Sequence, residues 1–137
     1  MRIGIDEVGR GSLAGPIYVC AFGSILTDKE LLSLFPNKKL KDSKQLKKHE
    51  REDIYKKFLL LKKKGAVHFA IGKSSASYID KNGLTKAVFT SLTKALTTLH
   101  KETNYSKKKS FIYLDGGLHA PTSYINQKTI IKGDQKV

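Results

Sequence analysis

The sequence is poor in several things at once: it has one cysteine, no tryptophan, three prolines and only 12 acidic residues in 137. A lone Cys20 closes no internal disulfide and is the wrong count for a structural zinc site. The four histidines, His49, His68, His100 and His119, are dispersed without zinc-like spacing. No stretch approaches the ~18 consecutive apolar residues of a bilayer-spanning helix. The amino terminus meets Asp6 almost at once and lacks the apolar core of a secretory signal. With 39% hydrophobic and 28% charged residues, the composition fits neither a disordered tail nor a fibrous repeat. The expectation is one cytoplasmic, soluble domain over residues 1–137, too short for two ordinary ones, with no membrane association and a monomeric state.

Lysine is what the chain has in excess. Lys and Arg total 26 against 12 Asp and Glu, a formal net charge of +14. Residues 1–37 hold 3 basic and 4 acidic side chains, net −1, whereas residues 38–64 hold 12 and 4, net +8. The remaining residues hold 11 basic and 4 acidic, net +7. A basic block beside an acid-bearing segment suits an enzyme acting on a polyanion: cations hold phosphates, and carboxylates are kept for chemistry. A solvated lysine face that only aids solubility would give the same totals. Lys62–Lys64 and Lys107–Lys109 fit that plainer description.

The apolar pattern alternates between the two regular periods. Ile3 and Ile5 lead into Asp6, and Ile17–Phe22 is a short β-prone run; the glycine-rich stretch between them reads as a turn. Thr27 and Glu30 have the spacing of a capping box, predicting a short helix ended by Pro36-Asn37. Residues 38–45 read as a lysine-rich loop. Ile54, Phe58 and Leu61 form the stripe of a helix from about Leu46 to Lys64, with Gly65 as its stop. Val67, Phe69 and Ile71 predict a third strand, and Ser74–Ile79 a brief helical turn. Leu84, Ala87, Val88, Leu92, Ala95, Leu96 and Leu99 share one face of a long helix. Phe111–Leu114 reads as a central, buried strand ending in Asp115. Thr129-Ile130-Ile131 suggests a last strand before Gly133-Asp134. The expected class is an α/β domain of about five strands.

Most of the acids lie in helical or loop contexts with lysines nearby. Asp6, Glu7, Asp115 and Asp134 differ: each sits at or just past an apolar strand pattern, close to a glycine. Ligands of open α/β sheets collect at strand ends, so such acids can converge although remote in sequence. Converging carboxylates repel one another unless a cation compensates. Mg²⁺ favours hard oxygen ligands and is typically held by a few carboxylates plus substrate phosphate, and two such ions can cut a phosphodiester. Adjacent strand residues point to opposite faces, so Asp6 and Glu7 serve one site only if the strand ends or bends there. Ordinary strand-terminal acids remain the plain alternative. Directly after them comes Gly9-Arg10-Gly11-Ser12-Leu13-Ala14-Gly15-Pro16, which matches neither the P-loop nor the dinucleotide fingerprint. Its glycines would let backbone N–H groups approach a phosphate or hydroxyl, and Arg10 could clamp a phosphate. A tight turn alone would need one or two glycines.

Gly4-Ile5-Asp6-Glu7-Val8-Gly9-Arg10-Gly11 through Pro16 resembles the amino-terminal signature of ribonuclease HII, the type 2 ribonuclease H family. The likeness continues through Asp42-Ser43-Lys44-Gln45-Leu46, the Ile79-Asp80 and Leu84 region, Leu114-Asp115-Gly116 and Ile131-Lys132-Gly133-Asp134. It implies a ribonuclease H-like mixed five-stranded sheet with flanking helices. It also implies an endonuclease that hydrolyses the RNA strand of RNA–DNA hybrids and cuts at ribonucleotides embedded in duplex DNA, leaving 5′-phosphate and 3′-hydroxyl ends. By this resemblance Asp6, Glu7, Asp115 and Asp134 are the catalytic carboxylates, with Asp6, Glu7 and Asp115 on Mg²⁺ or Mn²⁺. Gly9, Arg10 and Gly11 would sense the 2′-hydroxyl, and Ser43 and Lys44 would contact phosphate. The family continues past the Lys-Gly-Asp motif into further helices, so those C-terminal helices are expected to be missing here. The other expectation is a truncated, non-catalytic protein that binds duplex or hybrid nucleic acid through its basic face.

Overall fold

A computed structural model describes residues 1–35, 40 and 43–130. Five strands form one sheet in the order β3-β2-β1-β4-β5. Strands β1 (Arg2–Val8), β2 (Ile17–Ser24) and β3 (Val67–Ser74) run as an antiparallel meander, and β4 (Phe111–Asp115) and β5 (Gln127–Ile130) join β1 in parallel. The parallel pairs need a crossover, which α4 (Leu84–Thr103) supplies between β3 and β4.

The alternation read from the sequence sets which side of the sheet becomes the core. Ile3 and Ile5 of β1, Ile17, Val19 and Ala21 of β2, and Ile112 and Leu114 of β4 are buried in one cluster with Ala87, Val88, Leu92, Ala95, Leu96 and Leu99 of α4. Each large aliphatic side chain so buried contributes about 1.5–3 kcal/mol. α4 lies close to β3 because the facing β3 side chains are small. A Cβ on Gly72 would stand 1.8 Å from the Ser91 carbonyl oxygen, and Ser91 donates to Ser74 Oγ at 2.8 Å.

On the opposite face, α2 (Lys48–Lys63) covers only part of the sheet. Phe58 meets Phe22 of β2 edge-on at 5.2 Å between ring centroids, Phe35 packs against Phe58 at 5.2 Å, and Tyr55 approaches Phe69 of β3. Elsewhere on this face, among the described residues, Ile71 (57% exposed) and Phe111 (52%) are exposed.

Short helices follow local chemistry. The capping box of Thr27 and Glu30 starts α1 (Asp28–Ser33), and Ser75 caps α3 (Ala76–Asn82), a full helix where a brief turn was expected. α2 begins at Lys48, with the Glu50 carboxylate accepting from the Lys47 N–H at 2.7 Å. Gly65 stops it at φ +70°. Ser43–Gln45 is a single 3₁₀ turn rather than loop. β4 is interior as expected but buried on one side only, since Phe111 faces the open side. The expected stop at Pro36-Asn37, the rest of the lysine-rich loop at 38–39 and 41, the Asp42 end of its motif, and the segment Ile131–Asp134 lie outside the described residues.

Candidate active site

β1 and β4 carry the two acids that the sheet brings together. Their parallel register pairs Gly4 with Tyr113 and Ile5 with Leu114. One step further along both strands stand Asp6 and Asp115, on the face opposite α4, on strands about 4.8 Å apart. Asp6 is exposed, and one of its carboxylate oxygens accepts from the Glu7 N–H at 2.8 Å. A turn at Gly116 (φ +59°) ends β4 immediately after Asp115. Asp115 thus closes its strand, whereas Asp6 lies two residues before the end of β1.

Glu7 departs from the expected geometry. β1 neither ends nor bends after Asp6; its pairing with β2 runs on through Glu7↔Val19 and Val8↔Tyr18. Glu7 therefore points to the α4 face and Asp6 to the other. Glu7 Oε1 lies 3.2 Å from Arg10 Nη1, and the glutamate side chain is only 14% exposed. Among the described residues, no three His, Cys, Asp or Glu side chains form a group that could hold a metal ion. Asp134, the fourth expected carboxylate, lies outside the described residues.

The donor chemistry fits a hard divalent cation in an open site. Asp6 and Asp115 stand on one face of neighbouring strands, and Mg²⁺ commonly takes one or two carboxylates and leaves its other positions to water and substrate phosphate.

The glycine loop joins β1 to β2. Gly9 is required by the fold: its φ is +99°, and a Cβ there would stand 2.6 Å from the Pro16 carbonyl oxygen. Gly11 is different. It has no positive φ, and a Cβ on it would meet nothing within 4 Å. The turn makes no demand for glycine at that position. Arg10 also borders a cavity of about 80 Å³ with Leu84, Thr85, Gly117 and His119. His119 thus stands beside the glycine loop on the α4 side.

Ser43 and Lys44 occupy the exposed 3₁₀ turn before α2, the helix that packs on the same side of the sheet as Asp6, and Arg51 of that helix donates to the Ser43 and Leu46 carbonyls. A further group escaped the sequence reading. Val8, Tyr18, Cys20 and Ile71 line a concavity of about 260 Å³ with Asp6 and Glu7. Cys20 is the cross-strand partner of Asp6. Burial, and secondarily the negative charge of Asp6, push the Cys20 thiol up to about 11. Strand parity alone places Cys20 there once β1 and β2 are paired; nothing in its own neighbourhood marks it.

Solved structures define the class of fold. The ribonuclease HII of Archaeoglobus fulgidus, in a complex with PCNA, superposes with a TM-score of 0.66 at 21% identity, covering 99% of this chain and 65% of that one. Bst-RNase HIII in complex with Mn²⁺ gives 0.61 at 24% identity, covering 90% and 39%. This is a ribonuclease H-like α/β domain. The sequence pattern of the family described as Ribonuclease HII matches residues 3–136, and the chain belongs to that family. The ribonuclease HII of Limosilactobacillus fermentum is 37% identical over 134 residues, which is 97% of this chain and 44% of the relative. That of Pelagibacter ubique is 35% identical over 98% of this chain and 62% of its own length. The chain thus spans about half of the curated relatives it matches. Among the described residues, no helix is long and apolar enough to cross a membrane.

Proposed function

We propose that this chain carries the catalytic carboxylates of an endonuclease that hydrolyses the RNA strand of RNA–DNA hybrids and cuts at ribonucleotides within duplex DNA in the cytoplasm. The single observation that carries the reading is the placement of Asp6 and Asp115 on one face of neighbouring parallel strands, one step past the paired Ile5 and Leu114, in a chain of the ribonuclease HII family. Asp6, Glu7 and Asp115 would hold Mg²⁺ or Mn²⁺, with Asp134 as the fourth catalytic carboxylate. The chemistry such cations supply, in a two-ion arrangement, is activation of water and stabilisation of the leaving oxygen of a phosphodiester.

The protein's own residues do the selecting. Gly11 leaves open space where any other residue would place a side chain, so a ribose can come against the loop backbone, whose N–H and C=O groups can bond a 2′-hydroxyl. Arg10 sits in the same loop as a phosphate partner. Ser43 and Lys44 meet the backbone of the duplex, and the +14 net charge draws it in.

The test compares three duplexes in Mg²⁺ or Mn²⁺: an RNA–DNA hybrid, a DNA duplex with one ribonucleotide, and all-DNA. The expected result is cleavage of the first two, leaving 5′-phosphate and 3′-hydroxyl ends, and its loss in Asp6→Asn. Salt-sensitive binding without turnover, unchanged by Asp6→Asn, would favour the non-catalytic binding protein instead.

A further inference from the structure

We propose that Arg10 is a positioning residue that occupies Glu7 as a stand-in for a divalent cation, so that guanidinium and cation compete for one carboxylate. The inference rests on the reading of Asp6, Glu7 and Asp115 as cation ligands and adds a control on when Glu7 joins them.

Three observations carry it. β1 continues through Val8 and turns Glu7 onto the face opposite Asp6, so the two acids are not assembled as one ligand set. The Glu7 side chain is only 14% exposed and its carboxylate is bonded to the Arg10 guanidinium, whereas Arg10 itself is 51% exposed. A shielded carboxylate needs a positive partner, and the backbone reversal at Gly9 returns Arg10 to supply one three residues later. Arg10 also borders the cavity containing Gly117, two residues beyond Asp115. It therefore pairs with Glu7 and shares a cavity with the turn that follows Asp115.

The consequence is a thermodynamic coupling. Whatever draws Arg10 off Glu7, such as a phosphate of the duplex, frees the carboxylate and raises the affinity for the cation. By reciprocity, the cation loosens Arg10 and raises the affinity for phosphate by the same factor. Substrate and cation then assemble together, which limits idle loading of the site.

Mn²⁺ binding without nucleic acid, read from the electron paramagnetic resonance signal of the free ion, tests this in the full chain. Arg10→Gln is expected to bind Mn²⁺ about three- to fivefold more tightly than wild type, the upper range of a partly exposed ion pair. Arg10→Lys, which keeps the charge, is expected within about twofold of wild type. In a Glu7→Gln background the gain from Arg10→Gln should disappear, whereas simple repulsion by a loop charge would give the same gain in both backgrounds. Unchanged or weaker binding by Arg10→Gln, a gain that survives Glu7→Gln, or Arg10→Lys behaving like Arg10→Gln overturns the proposal and leaves the cation site standing. Failure of wild type and Arg10→Gln alike to bind Mn²⁺ overturns both.

Discussion

The ionisation of Cys20 reports on Asp6. The two are register partners on the open face of the sheet, and the thiol is raised from its ordinary 9.0 to about 11, first by burial and then by Asp6. A thiol is neutral when protonated, so the folded chain keeps this proton longer than the unfolded one. The associated stability is complete below about pH 9 and is lost as pH climbs towards 11. Alkylation by iodoacetamide should accordingly be slow at pH 7.5 and accelerate only above pH 10. Asp6→Asn removes the second cause and should move the onset of labelling to lower pH; an unmoved onset would separate the two side chains. Asp115 was legible in the sequence as a strand-end residue and does end β4, whereas Asp6 lies two residues before the end of β1. The place of Glu7 was not legible, because a pattern of apolar alternation does not say whether a strand stops at its first charged residue. Pairing of Glu7 with Val19 across β2 decides it.

Among the elements, α4 was the plainest in the sequence, since its apolar face repeats at helical spacing over about four turns and every one of those residues but Leu84 is buried. The role of Gly72 was not. A glycine at the end of a strand pattern reads as a break, yet here it lies within β3 and lets the backbone of α4 come within contact. Gly72→Ala should therefore be strongly destabilising, by about 1–3 kcal/mol or more, because the added carbon meets helix backbone that cannot rotate away. Urea unfolding measures this, and a loss under about 0.5 kcal/mol would mean the helix can shift outward at little cost. The α1 cap was readable from two residues. Thr27→Ala removes the acceptor for the Glu30 N–H and should cost about 1 kcal/mol in the same measurement.

At the scale of the whole molecule, the charge excess predicts an affinity for duplexes that falls steeply with salt. The slope of log affinity against log salt should grow more negative by about 0.9 for each phosphate neutralised. Lys44→Ala should flatten it by roughly one contact, weakening hybrid and all-DNA duplexes alike. An unchanged slope would remove Lys44 from the interface. The sheet order and the site follow from the same long-range event, the parallel docking of β4 beside β1, and no local pattern encodes that. What local sequence does encode is the two strands and the acids they carry; the fold makes them neighbours. The most direct measurement is a double-mutant cycle in Mn²⁺ affinity over wild type, Asp6→Asn, Asp115→Asn and the double variant. If the two carboxylates grip one cation, each single change should weaken binding about as much as both together. Losses that simply add, or an affinity that neither change touches, would contradict a shared site.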